Sequence, residues 1–203
     1  MPTVTNLTKQ QIENIQIDEG LVFVDYGLTT ERKLAPTRGG GEFSATATIR
    51  DIDFDGRSGP TKGTQLIESQ EAILKVTTLC MSQENLLLAM PYASVSGEGD
   101  EVVIKNPKCG LIKDDAYCEN ITMFAKLLSG KYKKIVIYNP MSESGLAVKA
   151  APKAEGEVSL EIKAHYTTSD LDGDLWEVSD IASVTEKTAA AAAAAANTEP
   201  TEG

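Results

Sequence analysis

Four residues in the run DIDFDG have the types and spacing of a cation site. Asp51, Asp53, Asp55 and Gly56 stand at the first, third, fifth and sixth positions of an EF-hand-like calcium loop. The match stops there. Ser58 falls at the eighth position, which is normally apolar. Lys62 falls at the twelfth, where a bidentate glutamate must close the site. The aspartates also end an alternating strand pattern rather than joining two helices. They read better as strand-end acids, with Asp55-Gly56 opening a turn. A second cluster, Asp170, Asp172, Gly173 and Asp174, lacks glycine at its sixth position and has Ile181 at its twelfth. It reads as a polar turn before the strand LWEV.

Other chemistries fail on similar grounds. TRGGGE and GRSGPTKG lack the spacing of a phosphate loop, and TRGGGE runs into a strand where a phosphate cradle needs a helix N-terminus. There is no GxSxG elbow. The one histidine, His165, would have to serve Cys80, Cys109, Cys118 or a serine, and it lies on the polar face of a strand pattern. No CxxC spacing supports zinc. Three well-separated cysteines are not a disulfide framework, and reduced thiols are expected. The expectation is a protein that is not an enzyme and holds no metal or cofactor.

The elements that position these residues are mostly strands. The chain has 203 residues, of which 41% are hydrophobic, enough for a core, and no apolar run is long enough to span a membrane. MPTVTNLTKQQ shows no secretory signal pattern. GLVFVDYG reads as a buried strand and LTTERKLAPTRGGG as a loop. EFSATATIRDIDF alternates, with Phe43, Ala45, Ala47 and Ile49 on one face; Ile52 and Phe54 then change parity, which predicts a β-bulge near Arg50–Asp51. DGRSGPTKG is a second loop, and LIESQEAILKVTTLCM a further strand. SQENLLLAMP predicts one short helix, capped by Ser82 and ended by Pro91. The region around Ser129-Gly130 and YKKIVIY predicts a hairpin. EVSLEIKAHYT is the cleanest alternation, with Val158, Leu160, Ile162, Ala164 and Tyr166 against Glu157, Ser159, Glu161, Lys163 and His165. The expected fold is mainly β, an antiparallel sandwich or partial barrel with one short flanking α-helix. The expected boundaries are an N-terminal arm over 1–19, a β domain over 20–182 and a flexible, alanine-rich, low-complexity tail over 183–203.

Formal charge is −11 and concentrated late: from Glu155 onward eleven acids face only Lys163 and Lys187. Such a chain does not grip nucleic-acid phosphates, which need clustered cations. The two glycine-bearing loops are instead cationic and stiffened by proline. They carry Arg32, Lys33, Pro36, Thr37, Arg38, Gly39, Gly40 and Gly41, then Arg57, Pro60 and Lys62. Either they are plain solvent loops, or they dock onto acidic surfaces of identical neighbours, head to tail.

The ordered series from GLVFVDYG through LAPTRGGGEFSATATIRDIDFDGRSGPTKG, SQENLLLAMP, SGKYKKIVIYNPMSESGLAV and GEVSLEIKAHYTTSDLDGDLWEV resembles the major tail tube proteins of long-tailed phages of Gram-positive bacteria. The likeness spans about Gly20 to Val178 and excludes the alanine-rich tail. It implies a non-enzymatic virion protein of the tail, made in the host bacterial cytoplasm. Six subunits would form a ring around a continuous β-barrel, and rings would stack into a tube through which DNA is ejected. The two loops and the N-terminal arm would bridge rings. Partners implied are further copies of the chain and other tail proteins (tape measure, tail terminator, distal tail protein). DNA would transit an acidic lumen without specific binding, with Glu157 and Glu161 as candidate lumen-facing residues. The competing expectation is a calcium-dependent β-sandwich binding module, and a weaker one is an enzyme using Cys80 or His165.

Overall fold

The computed structural model describes residues 7–17, 20–97, 101–149 and 155–185. Two antiparallel sheets pack face to face. Strands alternate apolar and polar side chains because successive residues point to opposite faces, so two such sheets can bury one face each.

In chain order the elements are α1 (Lys9–Glu13), β1 (Leu21–Val24), β2 (Arg32–Leu34), β3 (Thr37–Asp51), β4 (Gln65–Thr78), α2 (Gln83–Ala89), β5 (Ser94–Ser96) and β6 (Val103–Lys105). After a 3₁₀ turn at Asp114–Ala116 follow β7 (Asn120–Lys126), β8 (Tyr132–Tyr138), β9 (Met141–Ser142), β10 (Ala147–Lys149), β11 (Glu157–Lys163) and β12 (Trp176–Ile181). One sheet has the order β12-β8-β7-β1-β2. The other has β10-β11-β4-β3, with β9 also pairing β11, and β5-β6 form a separate hairpin.

Val22, Val24, Ile121, Met123 and Ile137 of the first sheet meet Ala72, Leu74, Val76, Val158, Leu160 and Ile162 of the second, all buried. Each fully buried aliphatic side chain contributes about 1.5–3 kcal/mol by leaving water. The alternation expected in β11 is present from Val158 to Ala164. Tyr166, expected on the same face, lies past the strand end at 38% exposure. β1 is buried on both faces as expected. Phe23 points away from the core and packs edge-on against Tyr26 and Phe124 at 5.6 and 5.7 Å.

The capped helix is where its signals place it. Ser82 accepts a hydrogen bond from the Asn85 amide, and Leu88 and Ala89 are buried. The β7–β8 hairpin turns at Ser129-Gly130 as expected. Other expectations need correction. The expected arm contains an unforeseen short helix, α1, started by a capping box of Thr8 and Gln11. Beyond α1 the chain docks on the β7–β8 turn: the Ile17 amide donates to the Lys126 carbonyl at 3.0 Å and the Leu128 amide to Ile15 at 2.8 Å. The expected loop LTTERKLAPTRGGG instead contains β2 and the first third of β3, joined by a cis Ala35–Pro36 bond. The parts of the arm and alanine-rich tail at 1–6, 18–19 and 186–203 lie outside the described residues.

Candidate functional site

β3 and β4 pair from Thr37↔Thr78 out to Asp51↔Gln65, longer than any other pair of strands described here. Only the inner half has a second sheet beneath it. Ala72, Leu74 and Val76 are buried, whereas Ala45, Ala47 and everything from Gln65 to Gln70 are exposed. The core-facing parity therefore runs on past the end of the sandwich. Phe43 packs on Trp176 with ring centroids 5.7 Å apart. Further out the cross-strand pair Ile49↔Ile67 lies uncovered, at 59% and 63% exposure.

Two irregularities shape the hairpin. The bulge expected near Arg50–Asp51 is not there, since both residues keep regular pairs with Leu66 and Gln65. A register shift lies instead between Thr48 and Ile49, with the extra residue on the partner strand: Ser69 pairs Thr48, Ile67 pairs Ile49, and Glu68 is skipped. This skip keeps Ile67 opposite Ile49 and so prolongs the apolar stripe. The second shift, between Arg38 and Gly41, absorbs Gly39 and Gly40, whose φ values of 76° and 75° suit glycine. At Gly41 a Cβ would stand 2.7 Å from Met123 Sδ, so any side chain there would displace the end of Met123.

Of the two expected cationic loops, the first is mostly strand and the second is a turn. Arg32 sits in β2 and donates to Asn85 Oδ1 at 2.8 Å and to the Glu84 carbonyl, tying β2 to α2. The Lys33 ammonium lies over the Phe23 ring. The Pro36 carbonyl accepts from Thr78 Oγ1 at 3.1 Å, and Thr37 opens β3 opposite Thr78. Arg38 donates to Glu157 at 2.7 Å and Glu155 at 2.5 Å. Arg57, Pro60 and Lys62 do belong to a turn, the outer end of the hairpin.

At that end Arg57 is the least exposed cation, with 12% of its side chain accessible. Its guanidinium donates to Asp51 Oδ2 at 2.7 Å, Asp53 Oδ1 at 2.5 Å and the Gly59 carbonyl at 2.7 Å. It occupies the place between the aspartates that a calcium ion would need. Among the described residues no group of three or more histidine, cysteine, aspartate or glutamate side chains is arranged to hold a metal. The second acidic cluster is a turn, with the Asp172 amide donating to Asp170 Oδ1.

Glu157 and Glu161 share the sheet face turned away from the core. Glu161 pairs with Lys75 at 3.4 Å, and Lys163 on the same face pairs with Glu71 at 2.5 Å. Glu42, opposite Lys75, adds a further carboxylate. The Arg38 partnership holds Glu155 below the usual carboxylate range and raises Arg38 itself. His165 is bounded by the Asn139 carbonyl at 3.2 Å, Glu143 at 3.1 Å and the edge of Tyr117, none of them a thiol or a serine. Cys118 is held by burial with its thiol pushed up to about 11. An open groove of about 1040 Å³ between α2 and residues 107–113 is lined by Leu87, Leu88 and Leu111; no motif in the sequence marks it.

The fold is thus an antiparallel β-sandwich with a short helix and one overlong hairpin. No family model matches the chain, and no curated protein matches it. Among solved structures it is similar to a chain from the virion of a native gene transfer agent particle. Identity is 11%, with 73% of this chain and 92% of that one covered, and a TM-score of 0.43. It is also similar to a chain from the tail of an empty gene transfer agent particle, at 10% identity, the same coverage and a TM-score of 0.38. Likeness at this level carries no functional argument.

Proposed function

We propose that this protein is a structural subunit of a phage tail tube that assembles into stacked, six-membered rings around a DNA conduit. The observation that carries the proposal is the unfinished apolar face of the β3–β4 hairpin. A core-parity stripe that continues to Ile49 and Ile67 beyond its covering sheet is complete only when another chain lies on it. β3 and β10 are also the open edges of their sheet. Joining β3 of one copy to β10 of the next extends the sheet around a ring and leaves no free edge.

In that arrangement the face bearing Glu42, Glu71, Glu157 and Glu161 lines the lumen. Arg38, Lys75, Lys149 and Lys163 stand on the same face and match these four carboxylates in number, so the wall is densely charged with alternating signs and offers no cation cluster to hold phosphates. The sequence resemblance to tail tube proteins agrees with this assignment, and the turn carrying Arg57, Pro60 and Lys62 is the segment proposed to reach the next ring. Other tail proteins at the tube ends are proposed partners by the same resemblance.

Negative-stain microscopy of the purified chain, concentrated at low salt with and without a tail initiator complex, tests this. Rings and hollow tubes are expected. A strictly monomeric species under both conditions would overturn it. Calorimetric titration with calcium addresses the competing binding-module reading, and no uptake is expected because Arg57 already neutralises Asp51 and Asp53.

A further inference from the structure

The end of the β3–β4 hairpin is rich in glycine and mostly exposed, which from composition alone describes a floppy loop. Its hydrogen bonding describes something else. The Ile52 amide donates to the Thr64 carbonyl at 2.7 Å, continuing the ladder one step past the strands. The Arg57 and Thr64 amides close tight turns onto Phe54 and Thr61, each at 3.3 Å. Thr64 Oγ1 donates to the Thr61 carbonyl at 2.8 Å and Thr61 Oγ1 to that of Gly59 at 3.2 Å. Gly56 and Gly63 supply the left-handed backbone, with φ of 87° and 90°.

All of this is organised around one side chain. The Arg57 guanidinium reaches Asp51, Ile52 and Asp53 on the outgoing side and Gly59 on the far side of the turn. A guanidinium suits this task because its planar fork offers several fixed donors at once, and its charge is permanent. Arg57 and Asp51 are the sheltered members of the hub, at 12% and 29% side-chain exposure, while Asp53 lies in solvent. Asp51 Oδ1 is buried there without a hydrogen-bond partner among the described residues.

We infer that Arg57 is a built-in cation that keeps this hairpin end folded in the free chain, doing for the Asp51–Asp53 turn what a bound divalent ion does for an acidic loop. The end is then presented ready-made, with Ile52 and Phe54 exposed at 41% and 50%. That it serves as a preformed connector between copies rests on the tube reading above. Preformed, it spends no ordering entropy when two copies meet.

The test is hydrogen exchange on the full chain, at a concentration where light scattering detects no association. In the wild type the Ile52, Arg57 and Thr64 amides, which donate to Thr64, Phe54 and Thr61, are expected to be protected. In Arg57→Ala the same three amides are expected to lose about tenfold or more of that protection, while residues 72–78 of β4 keep theirs. Arg57→Lys, with a point charge in place of a fork, is expected to fall between. Added calcium or chelator should change nothing in the wild type. Exchange of these wild-type amides at the unstructured rate, or equal protection in Arg57→Ala, would overturn the inference. Tube growth followed by turbidity separates the connector role: Arg57→Ala should lengthen the lag, and an unchanged lag removes that role. If the wild type never forms tubes, the tube reading fails, while exchange still decides the fate of the Arg57 hub.

Discussion

Arg38 and Glu157 are bound to each other at 2.7 Å, across the bulge at the start of β3. By sequence the first belonged to an inter-ring loop and the second to a tube lumen. Their contact places both on one sheet face, with Glu155 as the second partner of the guanidinium. The stretch from Pro36 to Gly41 is therefore a strand beginning, pinned by Thr78 and by two carboxylates, and not a free connector.

Removing Pro36–Gly41 should accordingly damage the fold itself. It takes away the Thr37 and Arg38 ladder steps opposite Thr78 and Thr77 and the close approach of Gly41 to Met123. The expected outcome is loss of a cooperative thermal transition by circular dichroism. Arg38→Ala, by contrast, should shift the midpoint by no more than a few degrees, since its partnership is largely exposed and screened by water. A deletion that unfolds as cooperatively as the wild type would refute the strand assignment.

Glu155 gives a pH dependence with a definite sign. Its carboxyl is held below the ordinary value, mainly by the hydrogen bond from Arg38. A depressed folded value means the contact is fully present above the ordinary carboxylate range. It is lost as pH falls from about 4.5 through the lowered value. Carbon-detected NMR titration should show Glu155 titrating lower in the wild type than in Arg38→Ala, and coincident curves would contradict the contact.

The three thiols should separate by reactivity. Cys109 is exposed, whereas Cys118 is buried with its thiol pushed up to about 11, chiefly by burial and then by Asp25. Mass spectrometry after brief alkylation near neutral pH should find Cys109 modified first and Cys118 last. Because its folded value is raised, Cys118 contributes stability that is intact below about 9 and lost as pH climbs towards 11. The alkaline loss of stability should be smaller in Cys118→Ala.

Core and stripe positions should behave in opposite ways. Leu74 is fully buried, and Leu74→Ala is expected to cost about 2–5 kcal/mol in denaturant unfolding. Ile49→Ser and Ile67→Ser remove side chains already in solvent, so each should change stability by less than about 0.5 kcal/mol. Both should abolish ring or tube formation by microscopy if a neighbouring copy covers the stripe. Normal tubes from either variant would exclude that role.

Much of the architecture was legible because it follows from local rules. The period-two pattern of β11, the Ser82 cap, the Ser129-Gly130 turn and the two-sided apolarity of β1 each depend on residues a few positions apart. The N-terminal helix was missed: Thr8 and Gln11 carry its capping signal, but five residues leave little periodicity to read. The loop assignment at Pro36–Gly41 failed because glycine and proline signal irregular backbone, and a bulged strand is also irregular. An irregularity near the end of β3 was legible, although the parity change to Ile52 and Phe54 falls past the strand end. Which strand carries the extra residue was not, because a bulge belongs to a pair.

By itself, then, the sequence determined that the chain is built of strands with apolar and polar faces, and that DIDFDG lacks the ligands to close a calcium loop. It also determined that late-chain acidity argues against phosphate binding. The tertiary structure decided which charges meet. Arg57 lies within six residues of Asp51, yet only the turn's backbone brings its guanidinium between Asp51 and Asp53. Arg38 and Glu157 are 119 positions apart and become partners through the β3-β4-β11 order. Burial of the stripe at Ala72 and Leu74, and its exposure at Ile49 and Ile67, was likewise settled by where the opposing sheet ends. Hydrophobicity fixes which face a side chain takes, while the reach of a distant strand fixes whether that face is covered.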